Sequence, residues 1–435
     1  MTKTGPISRR DVNNALLALG ALTAGCAPES RVDDASSRAT TVPSAAATST
    51  APAPPSAPAA PAASAPPLSV PPPVPFDQAI ANAAHVVFTS APVPAAGPVR
   101  IVIDPLMDGM TGYQSKATQS IQDQIVAIVK RDFSRYDVQR ISAETLKEQP
   151  RVLMGTLTSV NADLKPAGER EAYRFCLVMG DLKTGKIIAK QVVRSHIEDP
   201  DTTPIPAFGD SPVWTDDPSI ETYIATCHGS KVGDPIRQEF YDGLLAAALL
   251  GEADEAYDAA RYGEALDLYT TARKTPAGEQ LRVYNGIYLS LTKLGRNTQA
   301  AAAFRDLVDY GLRKKRLVVK FLFRPGSVRF VGESNLSANY GMWLQQIASR
   351  AASSQVCLQI TGHTSPTGPA AMNDSLSLLR AEYVQSRLEN EQPLLKQRTV
   401  AAGVGSRENL IGTGRDDMTD LLDRRVELRP IEPCV

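Results

Sequence analysis

The sequence predicts an α+β protein of several domains, and three observations support this. First, 435 residues with 43% apolar content can form two or three separate hydrophobic cores. Second, the composition changes after residue 75 from Pro- and Ala-rich to alternating strand and helix patterns. Third, a helical region separates that part from a final alternation of strands and helices. The predicted boundaries are 1–26 for a leader, 27–75 for a tether, 76–238 for an α/β domain, 239–314 for a helical segment and 315–432 for a last domain.

The first 26 residues have the organisation of an export signal. Three basic residues lie between Lys3 and Arg10, and residues 15–24 form an apolar stretch that is too short to span a bilayer. Small residues then precede Cys26, a pattern that resembles a lipobox, at which signal peptidase II cleaves and the cysteine is lipidated. Residues 8–12 also resemble a twin-arginine signal, so the export route stays open. We expect Cys26 to anchor the protein to the periplasmic face of the outer membrane.

Residues 27–75 consist mainly of Ala, Pro, Ser and Thr, with eleven prolines between Pro52 and Pro75. Such a composition cannot bury enough apolar surface to offset its ordering entropy, so we expect a disordered tether with polyproline II character. At ~3.1 Å per residue, about 50 residues reach at most on the order of 150 Å. That length suits a module anchored in one envelope layer and working in another.

The composition argues against several functional classes. A net charge of −1 gives no reason to expect nucleic acid as a partner. The sequence contains no phosphate loop, no G-x-S-x-G elbow and no H-E-x-x-H helix, and its four histidines lie in unrelated contexts. We therefore predict neither an enzyme nor a cofactor nor a metal site, although carboxylates distant in sequence can converge in space.

The region from residue 76 onwards predicts a small α/β layer fold with a β-meander. Strand patterns cover 99–103, 138–141 and 151–161, a helix covers 118–133, and a hairpin covers 172–193. Residues 155–160 (GTLTSV) and 181–190 (DLKTGKIIAK) resemble the fold shared by the curli-secretion lipoprotein CsgG and the penicillin-binding-protein activator LpoB. That resemblance implies a periplasmic protein-binding module. The Pro- and Asp-rich stretch 200–217 predicts a long surface loop.

Residues 240–312 carry a short internal repeat. Ala265 is followed by Tyr269, and Ala300 by Phe304, and the two alanines lie 35 residues apart. Small residues where paired helices cross, with aromatic residues four positions later, resemble tetratricopeptide repeats of 34 residues. Fewer than three repeats make a marginal solenoid, so we expect this helical segment to pack against a neighbouring domain.

The stretch from Cys357 to Val384 is the most informative part of the chain. An apolar run leads into Gly362-His363-Thr364, and a helix follows with the pattern N-x-x-L-S-x-x-R-A-x-x-V from Asn373. Together with Gly403-Val404-Gly405 and Arg424–Glu427, this resembles the OmpA-like peptidoglycan-associating domain over Leu317–Pro430. The resemblance implies the order β-α-β-α-β-β. We interpret His363 as structural, capping the end of its strand.

The resemblance implies a groove that binds the diaminopimelate end of the peptidoglycan stem peptide. The positions carried over to this chain are Thr364, Ser365, Asn373, Leu376, Arg380 and Arg425. In the family, an Asp fifteen residues before the helix Arg holds the ammonium group of the ligand, and the Arg holds its carboxylate. This chain has Arg380 but carries Ser365 in place of the Asp. A hydrogen bond to a charged group contributes about 1.5–3 kcal/mol, so the change could weaken binding about ten- to a hundred-fold.

Four cysteines remain beside Cys26 and allow three pairings in an oxidising compartment. Grouping by domain favours Cys176 with Cys227 and Cys357 with Cys434, and four ordinary buried thiols are the alternative.

Two functions follow from these patterns. The first is a non-enzymatic outer-membrane lipoprotein that binds peptidoglycan, links the envelope layers and binds an envelope protein through its middle domains. The second is a docking, assembly or secretion component whose C-terminal domain has lost peptidoglycan binding because Ser365 replaces the Asp.

Overall fold

The computed structural model describes residues 71–214, 217–331, 339–412, 414, 419–432 and 434. The predicted export signal, the lipidation site at Cys26 and most of the tether lie outside the described residues. Within the described residues the chain is mixed α+β, with eleven α-helices and two mixed sheets. No helix in this part of the chain is long and apolar enough to cross a membrane.

The first part, which we name the α/β lobe, contains one six-stranded sheet and five helices. Its elements are α1 Phe76–Ser90, β1 Val99–Ile103, β2 Met107–Asp108, α2 Lys116–Asp132, β3 Tyr136–Gln139, α3 Ala143–Lys147, β4 Arg151–Val160, β5 Ala172–Asp181, β6 Lys186–His196, α4 Pro206–Gly209 and α5 Pro218–Gly229. Ser115 caps the N-terminus of α2, because its hydroxyl accepts a hydrogen bond from the backbone N–H of Thr118. Ile121, Ile125 and Ile128 then form its buried stripe, as the periodicity predicted.

The strands of the α/β lobe follow the order β3-β1-β4-β5-β6, with β2 paired to β4. β1 lies parallel to β3 and β4, whereas β4, β5 and β6 form an antiparallel meander. Ile80 of α1 and Ile121 of α2 cover one face, and Tyr223 of α5 covers the other. The predicted strand, helix and hairpin are all present, and the CsgG- and LpoB-like assignment stays a prediction.

The prediction of a surface loop over 200–217 was wrong. Among the described residues of this stretch, Ile205, Phe208, Val213 and Trp214 are buried. Val213 pairs with Val319 in an antiparallel bridge, so the stretch adds a short segment to the edge of the second sheet. Its apolar residues are too few and too irregularly spaced to give a periodic signal, and the many Pro and Asp residues concealed them.

The helical segment consists of α6 Gln238–Asp258, α7 Tyr262–Ala272, α8 Leu281–Lys293 and α9 Asn297–Arg313. Ala265 and Ala300, the two repeated small residues, are buried. The segment shares a hydrophobic core with the last domain, since the ring of Phe304 stacks on that of Trp343 at 5.6 Å. It therefore packs against a neighbouring domain as expected, and its likeness to tetratricopeptide repeats stays a prediction.

The C-terminal domain contains β7 Val319–Leu322, α10 Tyr340–Ser353, β8 Cys357–Gly362, α11 Ala370–Glu391, β9 Thr399–Gly403 and β10 Arg425–Ile431. Short 3₁₀ turns cover Pro393–Gln397 and Thr419–Asp423. The order β-α-β-α-β-β is the one predicted, and the strands lie in the order β7-β10-β8-β9. Alternate residues such as Phe321 and Val426 face α10 and α11, which leaves Lys320 and Glu427 on the opposite, outer face.

Candidate ligand site of the C-terminal domain

Two glycines bring the strand ends against α11, on which Asn373, Leu376 and Arg380 lie. A Cβ atom on Gly362 would lie 1.9 Å from the carbonyl oxygen of Ser377, and one on Gly403 would lie 2.5 Å from the backbone nitrogen of Leu378. Only glycine permits this approach of two backbones. The turn after β8 and the middle of α11 are therefore held in contact.

Arg380 is fully buried, and its guanidinium donates hydrogen bonds to three backbone carbonyls. Nε donates to Ser327 O (2.9 Å), Nη1 to His363 O (3.2 Å) and Nη2 to Arg324 O (2.9 Å). The ring of Phe323 lies 5.2 Å from the guanidinium carbon. In this conformation Arg380 joins α11 to the 324–329 turn, and its guanidinium is not exposed to solvent.

The other predicted residues near the β8 end are also covered. Thr364, Ser365 and Asn373 are buried, and Leu376 is half-buried. The backbone N–H of Thr364 donates to Gly405 O (2.9 Å), and Asn373 Nδ2 donates to Thr367 O (3.2 Å). The structure thus gathers Thr364, Ser365, Asn373 and Arg380 at one end of the domain, in a closed arrangement.

Asp374 precedes Arg380 on α11 and is the nearest acidic residue in sequence to Ser365. Its carboxylate forms an ion pair with Arg407 at 2.5 Å. Gly405 N, two residues before Arg407, donates to Ser377 Oγ at 2.9 Å. The chain after β9 is therefore fastened to α11 by both an ion pair and a hydrogen bond.

Arg425 belongs to a different surface, the outer face of the sheet. Its Nε donates to Glu427 Oε1 (2.7 Å), and its terminal nitrogens donate to the carbonyls of Leu422 and Glu408. Trp214 Nε1 donates to the same Glu427 oxygen (2.8 Å). The prediction that Arg425 shares a groove with the α11 residues was wrong, because strand alternation turns its side chain towards the α/β lobe.

The outer face holds a buried cluster of charges. Burial alone would raise the pKa of Glu427, but the charges of Arg425 and Arg429 and the hydrogen bond from Arg425 hold that pKa well below its usual range. The Lys320 ammonium donates to the Tyr113 hydroxyl and lies 4.5 Å from the Trp214 ring centroid. Burial lowers the pKa of Lys320 well below its usual range.

His363 follows the last residue of β8 and is buried, and its backbone N–H donates to Arg425 O at 2.8 Å. Neither ring nitrogen forms a hydrogen bond with any described residue, although Nε2 lies 4.0 Å from Glu427 and Nδ1 lies 4.0 Å from Glu408. Burial, with the charge of Arg425, lowers the pKa of His363 to about 3. The imidazole is therefore neutral near pH 7, and packing determines its role.

The cysteines fall into one bonded pair and one pair of thiols. Cys357 and Cys434 form a disulfide with their Cα atoms 5.4 Å apart. Cys176 and Cys227 are free and buried, with Cys176 Sγ 3.3 Å from Cys227 O. Among the described residues no group of three or more His, Cys, Asp or Glu side chains could hold a metal ion.

Several residues that join the α/β lobe to the C-terminal domain gave no signal in the sequence. Arg170, Trp214, Lys320 and Asn409 all contact across the boundary between the α/β lobe and the C-terminal domain. Lys320, which lies inside an apolar strand pattern, was the one available hint of a contact partner, since a lysine is rarely buried without one.

Residues 330–418 match the OmpA family. The C-terminal domain is therefore an OmpA-family domain, as its motifs predicted. No curated protein sequence is significantly similar to the chain.

Among solved structures, the peptidoglycan-associated lipoprotein from Burkholderia pseudomallei is 24% identical, covers 26% of this chain and 89% of its own, and has a TM-score of 0.23. An outer-membrane protein from Borrelia burgdorferi B31 is 21% identical, with 26% and 85% coverage and a TM-score of 0.20. The periplasmic domain of Helicobacter pylori MotB is 15% identical, with 26% and 74% coverage and a TM-score of 0.22. Each alignment covers about a quarter of the chain and leaves the rest unmatched.

Proposed function

We propose that this protein is a non-enzymatic outer-membrane lipoprotein that binds peptidoglycan through its C-terminal domain. Lipidated Cys26 is the anchor, and the Pro-rich residues 27–75 span towards the cell wall. The α/β lobe and the helical segment bind another envelope protein, in keeping with their resemblance to CsgG, LpoB and tetratricopeptide repeats. The protein thereby links the layers of the envelope.

The observation that carries this proposal is the OmpA-family match over 330–418, which contains the turn after β8 and the arginine of α11. Arg380 Nη1 donates to the carbonyl oxygen of His363, two residues before Ser365, so the two predicted ligand contacts are neighbours in space. A guanidinium binds a carboxylate bidentately without help from an acidic partner. Binding by this site requires that the 324–329 turn release Arg380, whose guanidinium it occupies.

Two observations favour the second function, a docking or assembly component without peptidoglycan binding. Arg380 is fully buried on three carbonyls, and Ser365 supplies no negative charge for a ligand ammonium. If the Arg380 guanidinium only stabilises the fold, and the Asp carboxylate is replaced by Ser365, neither of the two charged groups expected to bind the ligand is available. The two functions differ in one measurable property, the affinity for the cell wall.

Co-sedimentation with purified diaminopimelate-type sacculi tests the proposal, using residues 68–435, which form one compact unit. We expect the parent to sediment, Arg380→Ala to stay in solution, and Ser365→Asp to sediment more strongly because it restores an ammonium partner. Arg387→Ala is the matched control, since Arg387 lies two helical turns further along the same helix. Melting curves accompany each variant so that loss of binding is separated from loss of folding.

Equal sedimentation of the parent, Arg380→Ala and Ser365→Asp would refute this account of the site. If none of the variants sediments, the C-terminal domain has no affinity for the wall. The docking function then stands, and pull-down of envelope proteins with the α/β lobe intact is the measurement to make next.

A further inference from the structure

The chain after β9, residues 404–412, lies along the turn that carries Thr364 and Ser365. Gly405 O accepts a hydrogen bond from Thr364 N at 2.9 Å, and Asn409 Nδ2 donates to Thr364 O at 2.9 Å. Thr364 and Ser365 are only 2% and 6% exposed. This 404–412 loop is therefore one of the covers of the candidate ligand site.

The outer side of the same loop is held by a buried arginine of the α/β lobe. Arg170 Nη2 donates to Asn409 O at 2.9 Å, and the guanidinium also donates to Gly168 O (2.8 Å) and Pro166 O (2.9 Å) in its own lobe. Ser159 Oγ donates to Leu410 O at 3.4 Å. A single guanidinium thus connects carbonyls on both sides of the boundary, and charge-assisted bonds of this kind are the strong ones.

The loop is shaped to present those carbonyls to the α/β lobe. The Asp423 carboxylate accepts hydrogen bonds from the backbone N–H groups of Leu410 (2.7 Å), Ile411 (3.0 Å) and Gly412 (2.7 Å). Because these N–H groups point inwards to Asp423, carbonyl groups of the loop point outwards to the α/β lobe. The Arg170 guanidinium donates a hydrogen bond to one of them, Asn409 O. The two carboxylate oxygens of Asp423 share these three bonds, so this one side chain fixes the path of the loop over residues 410–412.

We propose that Arg170 locks the 404–412 loop over Thr364 and Ser365, so that the α/β lobe keeps the candidate wall-binding site closed. The inference rests on the proposed peptidoglycan binding and adds a control to it. The hydrogen-bond path runs from Arg170 to Asn409 and from Asn409 to Thr364, next to Ser365. Arg170 contacts none of the predicted ligand residues and acts through Asn409 as a positioning residue.

The test uses residues 68–435 with Arg170→Ala and two measurements, hydrogen exchange of the 404–412 amides and sedimentation with diaminopimelate-type sacculi. Loss of a charge-assisted hydrogen bond should speed exchange in the loop about ten- to a hundred-fold and tighten sacculus binding by up to the same factor. Ser159→Ala removes a weaker contact to the same loop and should shift both readouts in the same direction by a smaller factor.

Lys320→Met is the control, because Lys320 lies at the same boundary but contacts Tyr113 and Phe208 rather than the loop. It should leave both readouts unchanged. Unchanged loop exchange in Arg170→Ala, or an equal effect of Lys320→Met, would overturn the lock. If the parent binds sacculi, a variant Arg170→Ala with faster loop exchange but unchanged or weaker sacculus binding would also overturn the lock. If loop exchange is faster in Arg170→Ala but neither the parent nor the variant binds sacculi, the proposed peptidoglycan binding is refuted. The proposal that Arg170 closes a binding site is then refuted as well.

Discussion

Glu427 is the centre of the buried charges on the outer face, and neutralising it should destabilise the protein strongly. Its carboxylate accepts hydrogen bonds from Trp214 (2.8 Å), Arg425 (2.7 Å) and Arg429 (2.9 Å). Glu427→Gln keeps the shape but removes the charge, which leaves the buried Arg425 guanidinium without its hydrogen-bonded counter-ion. Breaking a buried ion pair costs about 3–5 kcal/mol. Because the amide oxygen still accepts one bond and Arg425 keeps two carbonyls, we expect the lower end, about 3 kcal/mol.

The cost should depend on pH in a direction fixed by the pKa of Glu427. That pKa is lowered in the folded protein, whereas the unfolded chain titrates near ~4.3. Between these two values the unfolded chain binds more protons, so the stabilisation from Glu427 is complete above about pH 5 and is lost as the pH falls. The difference in unfolding free energy between parent and Glu427→Gln should therefore be largest near pH 7 and shrink below about pH 4.

Urea unfolding at several pH values measures this difference, with tryptophan fluorescence and circular dichroism as independent probes. Glu408→Gln is the matched control, because the Glu408 side chain is 65% exposed and the same change there should cost less than about 0.5 kcal/mol. Two results would refute the reasoning: costs for Glu427→Gln and Glu408→Gln that agree within error, or a difference between parent and Glu427→Gln that does not vary with pH.

Three further changes probe the C-terminal domain. Gly362→Ala should cost at least about 3 kcal/mol in thermal unfolding because its Cβ would meet the backbone of α11, whereas Gly341→Ala, with open space around it in α10, should gain up to about 1 kcal/mol. Replacing both cysteines of the disulfide by serine should cost about 2–4 kcal/mol in urea unfolding, since the bond closes a loop with a sequence separation of 77. Arg380→Met should destabilise the protein by about 3 kcal/mol and thereby lower the melting temperature. Arg407→Ala should barely change the melting temperature, because the Arg407 side chain is 61% exposed. Equal melting temperatures within either pair, or an unchanged urea midpoint without the disulfide, would contradict these expectations.

Local patterns in the sequence predicted most elements of the fold. The amphipathic spacing of Ile121, Ile125 and Ile128 predicted α2, and the apolar run before Gly362 predicted β8, because each signal is contained within a few neighbouring residues. The pattern N-x-x-L-S-x-x-R-A-x-x-V predicted the helix α11, in which Asn373, Ser377 and Arg380 are buried. In the structure the partners of Arg380 are backbone carbonyls of the same chain.

Contacts between distant parts of the chain could not be predicted in this way. The hydrogen bond from Arg170 to Asn409 joins residues 239 positions apart, and that from Trp214 to Glu427 joins residues 213 positions apart. No periodicity encodes such pairs. The apolar residues of 205–214 are likewise buried by contacts with distant parts of the chain rather than by their own element. The local composition therefore predicted a surface loop.

These long-range contacts decide which part of the chain can be studied alone. β7 is an edge strand of the C-terminal sheet, and residues 212–214 cover it: Trp214 N donates to Val318 O (3.0 Å) and Lys320 N donates to Pro212 O (2.9 Å). Removing the α/β lobe would uncover this edge, which is a template for aggregation. It would also release the 404–412 loop from Arg170. An isolated C-terminal domain would therefore lack both the cover of its edge strand and the contact from Arg170, so ligand binding should be measured on the whole unit from residue 68 onwards.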